Sequence, residues 1–572
     1  MKDYDVIVIG GGINGLTAAA YLARAGLSVG VFESRGQCGA HCDTVELGRA
    51  GFLHNTHAQW LVPALSPAMA DLELASFGLE LRGTDVLFGK TFLNGTNLVV
   101  ALDPSATGAS VARVSARDGA VHARINQYLM EHTAEALTIG QQLLYGAPGF
   151  DLQRRRAAFH DGLLKAIGAR FGGEAVQRMD GFEVLAALYE TEEVRTMPAA
   201  WGEYTGQWPA HQGMGGQSMD LAGMPPTAVH TARGGSHALT HALVRCVVHH
   251  GGDIWTTCPV DRIVVRDGRA RGIRLSPHAI FPGEEITART VISNITLVPT
   301  FVQLLGAEVI GTDWVAKIKR FNYDDPQLTA VCYALKGDVE FASAAHDPAI
   351  QRAWVGYFGG ETLASFRAAM TDCLAGTIPA EPMGGWFIPT RADPTQAPPG
   401  CHTLQAWVSV PPCPQSWRGR TLRGWDAWEE IAEPLADAIT DRLEQYAPGF
   451  KDLVLERYTN TPLDTERNNP SAIRGNMIGG SAIPEQAGTN RPLPGIITQG
   501  VSRTFLPGLY LSNSTYPYGA THLASGYLAA CEVAEDMRCR AQPWWQALPY
   551  MWFLEHMSSI PTNLGVGPSG GR

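Results

Sequence analysis

Three glycines and an acidic residue near the N-terminus have the spacing of a nucleotide-binding turn. Gly10, Gly12 and Gly15 form a GxGxxG pattern, and Glu33 follows them at the usual interval of about 20 residues. In such a pattern the glycines allow a tight turn, close approach of the backbone to a diphosphate, and close packing of a helix on a strand. A carboxylate at the position of Glu33 can accept hydrogen bonds from a ribose diol. The predicted chemistry is binding of the ADP part of a dinucleotide.

The segments around these residues predict the elements that would position them. Residues 6–9 form a continuous apolar, β-branched run typical of a strand buried on both faces. A helix is predicted over residues 16–25, and its N-terminus would direct free N–H groups and the positive end of its dipole at a diphosphate. A second strand, LSVGVFE, ends on Glu33. A glycine pattern alone is weak, whereas this order of strand, glycines, helix, strand and acid indicates a Rossmann-type unit.

The composition fits a globular enzyme of more than one domain. The chain has 572 residues, of which 45% are hydrophobic and 17% charged, and its net charge is −11. An acidic chain lacks the basic footprint that nucleic-acid binding requires, so we expect small-molecule partners and no nucleic acid. Ten cysteines occur without any CxxC pair, which predicts neither a metal centre nor a disulfide framework. The N-terminus has no signal-peptide pattern, so a cytoplasmic location is expected.

The chain leaves the nucleotide-binding pattern and later returns to it. Amphipathic segments follow residue 105, and AVHARINQYLMEHTAEALTIGQQLLYG predicts one helix of a substrate domain. Three short β-rich runs, at 253–257, 262–266 and 272–275, precede the predicted strand ARTVISNI. Residues 301–494 combine strands such as QLTAVCYALKG and CHTLQAWVSV with one long helix, which indicates a mixed sheet. Near the C-terminus, GLYLSNSTYPYGATHLASGYLAACEVAED predicts a strand over 509–512 and a helix over 523–535.

Six segments carry a family resemblance: the N-terminal fingerprint, ESRGQCGAHCDT, RGGSHALTHAL, VISNI, RPLPG and GLYLSNSTYPYGATHLASGYLAA. Together they resemble the phytoene-dehydrogenase-like FAD-dependent oxidoreductases, which are related to carotenoid desaturases and more distantly to amine oxidases. The resemblance implies an α/β fold with a Rossmann-type FAD-binding domain, discontinuous in sequence, and an inserted mixed α+β substrate domain. The implied boundaries are 1–105, 225–300 and 495–540 for the FAD-binding domain, 106–224 and 301–494 for the substrate or cap domain, and 541–572 for a Trp-rich C-terminal tail.

The resemblance also implies which residues contact FAD. Besides Gly10, Gly12, Gly15 and Glu33, the matching positions are Ser34, Arg35, Gly39, Ala40, His41, Val260, Asn513, Thr521, His522 and Leu523. Two places depart from the family pattern: Ala40 stands where the family has the second glycine of a pair, and YPYGATHL replaces a turn much richer in glycine. Because Tyr516, Tyr518 and His522 bring polar groups to that turn, they are the candidate catalytic residues.

Other side chains could line the same cavity. His54 and His57 follow the glycine-pair segment, although a buried, hydrogen-bonded histidine is commonplace. Trp201, Tyr204 and Trp208 could form an aromatic cavity wall, and the alternative is that they belong to an ordinary core.

A Trp-rich segment near the C-terminus, QPWWQALPYMWFLEHM, has little charge and could dock at a membrane interface or a subunit contact. It lacks the basic face of a membrane-surface helix. Self-packing or a homodimer contact is therefore favoured over a peripheral membrane contact.

The predicted activity is an FAD-dependent dehydrogenation or desaturation that forms a C=C bond by hydride transfer to flavin N5. We expect a hydrophobic isoprenoid or alicyclic substrate with one polar group, such as a cyclic ketone, and oxygen, a quinone or another electron acceptor. One alternative is an amine oxidase on the same fold, which would release hydrogen peroxide. The other is a prenyl-binding protein without flavin, similar to the Rab GDP-dissociation inhibitors, and the intact glycine pattern with Glu33 argues against it.

Overall fold

Two large β-sheets and the helices packed on them organise the chain. The computed structural model describes residues 3–62, 66–145, 150–204, 209–222, 229–481, 483–486, 490–513 and 522–545. The strands are β1 (Tyr4–Ile9), β2 (Val29–Phe32), β3 (Thr44–Glu46), β4 (Leu53–Asn55), β5 (Leu81–Arg82), β6 (Val86–Thr91), β7 (Asn97–Ala101), β8 (Thr231–Ala232), β9 (Asp253–Trp255), β10 (Val260–Arg266), β11 (Arg269–Leu275), β12 (Glu285–Ser293), β13 (Gln327–Leu335), β14 (Val355–Phe358), β15 (Gly384–Phe387), β16 (His402–Val410), β17 (Ser416–Trp417), β18 (Arg420–Thr421), β19 (Val454–Asn460), β20 (Ile497–Gln499), β21 (Arg503–Thr504) and β22 (Leu509–Leu511).

The α-helices cover both sheets. They are α1 (Ile13–Arg24), α2 (Ala68–Asp71), α3 (Pro104–Val114), α4 (Ala116–Glu131), α5 (Thr133–Tyr145), α6 (Phe150–Ile167), α7 (Gly173–Val176), α8 (Gly181–Leu188), α9 (Glu192–Tyr204), α10 (Gly215–Ala222), α11 (His237–His249), α12 (Ala307–Ile310), α13 (Thr312–Lys319), α14 (Leu363–Leu374), α15 (Trp428–Tyr446), α16 (Phe450–Leu453), α17 (Pro462–Asn468) and α18 (Ala524–Asp536). Within the described parts of the chain, no helix combines the length and apolar character needed to cross a lipid bilayer.

The first sheet has a parallel centre in the order β22-β12-β1-β2-β9. Antiparallel strands β21 and β20 extend it beyond β22, and the β10–β11 hairpin joins through the first residues of β12. In register, Ile9 lies beside both Phe32 and Ser293, and Ser293 lies beside Leu511. The carboxyl ends of four parallel strands therefore meet at one edge, which is where such sheets bind ligands.

Helices α1, α11 and α18 share one core on this sheet. Their buried side chains include Tyr21, Leu22, Leu239, Leu243 and Tyr527. The C-terminal strand and helix thus complete the sheet that the N-terminal unit begins, as predicted, and their bounds differ from the predicted ones by about one residue.

The second sheet has the order β19-β13-β16-β15-β14-β6-β7 and is antiparallel except where β6 runs parallel to β14. Its buried face toward α15 carries Trp386 and Tyr333, and its other face packs against α8, α9 and α14. The hairpin β6–β7 corrects the expected boundary at residue 105. Although it follows the nucleotide-binding segment in sequence, its strands pair with this second sheet.

The helix predicted from residues 120–146 is two helices, α4 and α5. The backbone leaves helical geometry at His132, with φ −117° and ψ 26°. The Thr133 hydroxyl donates to the carbonyl oxygens of Leu129 and Met130, at 2.9 Å each. Threonine back-bonding of this kind bends helices, and apolar periodicity alone does not reveal it.

Candidate active site

The glycine turn between β1 and α1 is tightly enclosed. Gly10 has φ +92°, a conformation that favours glycine. A Cβ at Gly15 would lie 2.5 Å from the carbonyl oxygen of Gly10 and 2.9 Å from the Cβ of Asn294. Gly12 is the N-cap of α1 and offers no side-chain cap, so the first-turn N–H groups of α1 are directed at the space before the helix. An anion is the natural partner for those groups.

Glu33 follows β2 beside this turn and is buried. Its Oε2 accepts a hydrogen bond from the backbone N–H of Gly11 at 2.7 Å, and its Oε1 accepts from the backbone N–H of Arg35 at 2.8 Å and from the Ser34 hydroxyl at 3.1 Å. The chain before Val260 passes the same point, because the Cys258 N–H donates to the carbonyl oxygen of Glu33 at 2.8 Å. The structure therefore brings four of the predicted residues, Glu33, Ser34, Arg35 and Val260, to one edge of the sheet.

The glycine-pair segment lies against the glycine turn through a bond from the Gly39 N–H to the Gly11 carbonyl oxygen, at 2.9 Å. Gly39 has φ +126° and Ala40 has φ +51°. Ala40 thus adopts the left-handed conformation that a glycine would enter without strain, which explains why the family prefers glycine here.

Asp43 connects this segment to helix α11. Its carboxylate receives Arg35 Nη2 at 2.9 Å and lies 3.0 Å from His237 Nδ1. Burial raises the pKa of Asp43, but the hydrogen bonds from His237 and Arg35 outweigh it, and the pKa is lowered overall. The side chain is therefore an anion that fixes the segment beside the cofactor turn.

A histidine pair follows the same segment. The rings of His41 and His57 meet edge to face with centroids 4.6 Å apart, and His57 Nε2 lies 3.0 Å from the Thr465 hydroxyl. Burial lowers the pKa of His41 to about 4 and that of His57 well below its usual value. Burial likewise lowers the pKa of His54 to about 4. All three imidazoles are neutral at physiological pH.

Asn294 is a site residue that the sequence analysis missed. Its Nδ2 donates to the carbonyl oxygen of Gly10 at 3.3 Å, while its Oδ1 accepts from the Ser512 hydroxyl at 3.0 Å. The backbone oxygen of Asn294 accepts from the side chain of Asn513 at 3.2 Å. A polar residue directly after a buried strand, here in VISNI, is the signal that could have identified it.

The C-terminal element reaches the glycine turn through α18. Its N-cap is Leu523, which is buried, has φ +62° and provides no side-chain cap. Asn14 of α1 supplies the cap instead, because its Oδ1 accepts from the Gly526 N–H at 3.1 Å. A cap donated by another helix fixes the two helix N-termini together.

His522 immediately precedes that cap. Its carbonyl oxygen accepts from the Tyr145 hydroxyl at 2.9 Å, and burial lowers the pKa of its imidazole to about 4. Its Nδ1 is buried with no hydrogen-bond partner among the described residues. The other candidates from this turn, Tyr516, Tyr518 and Thr521, lie outside the described residues.

An aromatic cluster follows the histidine pair along the chain. Trp60 stacks on Trp201 with centroids 5.6 Å apart and an interplanar angle of 15°. Trp60 also lies 5.7 Å from Phe387 and 6.2 Å from Trp407 on the second sheet. Trp208 and the side chain of Tyr204, the other members of the predicted wall, lie outside the described residues.

The described part of the Trp-rich segment packs on the nucleotide-binding domain. Trp545 lies 4.9 Å from the ring of Tyr21, and the Arg24 guanidinium lies 4.7 Å from the ring of Trp544. Residues 546–572 lie outside the described residues, so the homodimer and membrane contacts stay predictions.

Comparison with known proteins agrees with this geometry. A family model for an NAD(P)-binding Rossmann-like domain matches residues 8–72. The solved structure of cyclohexylamine oxidase from Brevibacterium oxydans has the same fold, with a TM-score of 0.54 and 15% identity over 94% of this chain and 100% of that chain. Fold and glycine turn together define a flavin-dependent oxidoreductase with a Rossmann-type domain.

Two curated relatives match nearly the whole chain. Pyridine nucleotide-disulfide oxidoreductase domain-containing protein 2 of Mus musculus is 30% identical over 94% of both chains. The chain belongs to the family of that protein, among the phytoene-dehydrogenase-like oxidoreductases. A limonene dehydrogenase component of Castellaniella defragrans is 26% identical over 95% of this chain and 96% of its own, and prolycopene isomerases and a phytoene desaturase are more distant relatives. The non-enzymatic alternative is thereby set aside.

Proposed function

We propose that the protein is an FAD-dependent dehydrogenase or desaturase that forms a C=C bond in a hydrophobic isoprenoid or alicyclic substrate. The observation that carries the proposal is the aromatic cluster of Trp60, Trp201, Phe387 and Trp407 beside the glycine-pair segment. Stacked rings offer a hydrocarbon a large apolar surface without buried charge. The relative named as a limonene dehydrogenase supports the same substrate class, because limonene is an alicyclic isoprenoid.

The residues around the glycine turn fit the ADP part of FAD. The cradle of Gly10 and Gly15 leaves no room for a Cβ, and the uncapped N-terminus of α1 offers N–H groups to a diphosphate. Glu33 would hold the ribose, and the segment from Gly39 to His41 would follow the diphosphate. When bound, FAD supplies the hydride acceptor at flavin N5.

The residues of the chain must provide the remaining chemistry, which is removal of one proton from the carbon next to the one that loses hydride. A neutral imidazole can accept that proton, and burial keeps His41, His57 and His522 neutral. A pKa near 4 makes His522 a weak base, so the proton it takes must be acidified by a neighbouring carbonyl or by developing positive charge. We assign this role to His522, with Tyr516 and Tyr518 as its neighbours in sequence.

The test is anaerobic mixing of the FAD-loaded protein with cyclic ketones, alicyclic terpenoids, polyenes and amines, while the flavin absorbance is followed. Bleaching by a terpenoid or cyclic ketone, with an unsaturated product, is expected. Bleaching by amines alone, with hydrogen peroxide formed in air, would replace the proposal by an amine oxidase. Electron return is then measured with oxygen and with a quinone.

The assigned base is tested with His522→Ala. Slower flavin reduction with FAD still bound is expected, whereas His278→Ala, which removes an exposed histidine, should reduce at the wild-type rate. Unchanged reduction kinetics in the first variant would remove His522 from the mechanism.

A further inference from the structure

A buried carboxyl group ties helix α9 to the second sheet. Glu203 lies one residue before the end of α9 and is only 6% exposed. Its Oε2 accepts a hydrogen bond from the Tyr357 hydroxyl of β14, and its Oε1 accepts from the Ser409 hydroxyl of β16. Each carboxyl oxygen therefore binds a different strand of one sheet, which fixes both the position and the rotation of the helix end.

The same helix end carries one half of the stacked tryptophan pair. Trp201 lies on the last turns of α9, and its ring stacks on Trp60 and meets Phe88 of the sheet edge to face at 5.2 Å. Pro198 lies inside α9 and has no N–H to continue the helical hydrogen bonds. The first half of α9 therefore constrains its last turns weakly, and the Glu203 attachment replaces that constraint.

Trp60 connects the cluster to the cofactor side of the molecule. The neighbouring Gln59 donates to Gln405, which lies on the same face of β16 as Trp407 and Ser409 because alternate strand residues share a face. Upstream of Trp60, His57 packs on His41 in the glycine-pair segment. Contacts thus run without a break from the cofactor segment through Trp60 and Trp201 to Glu203.

We propose that Glu203 is a positioning residue that holds Trp201 against Trp60 and thereby sets the aromatic surface on which an apolar alicyclic substrate binds. The part of this inference that concerns substrate rests on the proposed function. Glu203 does not touch the substrate; it acts through Trp201. Burial raises the pKa of Glu203 to about 7, against the hydrogen bonds from Ser409 and Tyr357 and the charge of Lys90, as expected for a carboxyl group taken fully into the protein.

The first experiment measures the tryptophan pair itself. Stacked indoles give an exciton couplet in circular dichroism, and the part due to this pair is the difference between wild type and Trp201→Phe. Glu203→Leu should lose that same part, whereas Glu203→Gln, which keeps a hydrogen-bonding side chain of equal size, should retain it. Glu193→Gln, a change on the same helix at a side chain bonded to Asn94, is the matched control and should leave the couplet unchanged.

The second experiment measures binding of 1-methylcyclohexene, an apolar alicyclic probe, to the FAD-loaded protein. Glu203→Leu and Trp201→Phe should each raise its dissociation constant about tenfold, the loss expected for one aromatic contact. The double variant should bind no more weakly than either single variant, because both changes remove the same surface. A loss of affinity in Glu203→Leu that adds fully to that of Trp201→Phe would overturn the proposal.

A third pair of variants guards against misfolding. Tyr357→Phe and Ser409→Ala each remove one hydroxyl from Glu203 and should give an intermediate loss of the couplet. If Glu203→Leu, or these milder variants where it does not fold, leave the couplet as in wild type, Glu203 does not position Trp201. A couplet that responds as expected in a protein that binds no alicyclic probe would instead refute the proposed substrate class and leave the role of Glu203 standing.

Discussion

Replacing Gly526 with alanine is expected to separate the two helices that meet at the nucleotide turn. Gly526 lies in the first turn of α18, where its N–H donates to the Asn14 side chain of α1. An added Cβ would lie 2.8 Å from the carbonyl carbon of Asn14 and 2.9 Å from its Cα, and closer still to its carbonyl oxygen. Because all three atoms belong to the backbone, no side-chain rotation can relieve the contact.

The cost follows from these distances. Carbon atoms prefer separations of about 3.5 Å or more, so α18 must move by roughly 0.7 Å, which also stretches the Asn14 cap. Overpacking of this kind costs about 1–3 kcal/mol, and a lost helix cap about 1 kcal/mol. The higher helix propensity of alanine returns about 1 kcal/mol. The expected net loss is about 1–3 kcal/mol, or roughly 2–12 °C in the unfolding temperature of a folding unit of 150–250 residues.

Thermal unfolding of the FAD-loaded protein, followed by flavin fluorescence as FAD is released, measures this loss. Gly108→Ala in α3 is the matched control, since no atom lies within 4 Å of the Cβ it would add, and it should be as stable as wild type or slightly more stable. If Gly526→Ala unfolds and releases FAD at the wild-type temperature, the close approach of α1 and α18 is not a determinant of the site.

Three further perturbations have defined outcomes. Glu33→Ala should weaken FAD binding by about 1–3 kcal/mol through lost hydrogen bonds to ribose, and unchanged affinity in a flavin titration would refute that role. Ala40→Gly should raise the free energy of unfolding by about 0.5–1 kcal/mol, because relief of left-handed strain exceeds the entropy cost of glycine; a loss of stability in urea denaturation would contradict this. His54, whose pKa burial lowers to about 4, binds no proton in the folded protein between pH 6.5 and 4, whereas the unfolded chain does, so stability should fall by roughly 3 kcal/mol as the pH drops through this range. His54→Asn should flatten that slope by about 1.4 kcal/mol per pH unit, and an unaltered slope would show that His54 titrates normally.

The nucleotide-binding half of the fold could be predicted because its determinants are local. Buried strands such as β1, the glycines after it and the acid after β2 appear in order within one short segment, and each has one dominant physical reason. Pairing of β22 with β12 was predicted only through family resemblance, since no local pattern specifies a partner so distant in sequence.

The contacts that complete the site could not be predicted, because they form between residues far apart in the chain. Asn294 and Asn14 look like ordinary polar residues until the sheet places one beside Gly10 and the other beside Gly526. The attachment of Glu203 to Tyr357 and Ser409 is of the same kind. The hairpin β6–β7 was assigned to the wrong sheet for a related reason: strand propensity identifies a strand but not its neighbours.

The cap that Asn14 provides to α18 also orders events during synthesis. The capped N–H is 512 residues further along the chain, which a ribosome adding about 5–20 residues per second needs roughly half a minute to two minutes to make. Throughout that time the N-terminal half of the sheet exists without β22 and α18, with the β12 edge open to pairing with other chains. Capture of the cofactor is therefore a late event in biogenesis, and a chaperone that shields this edge would act before flavin does.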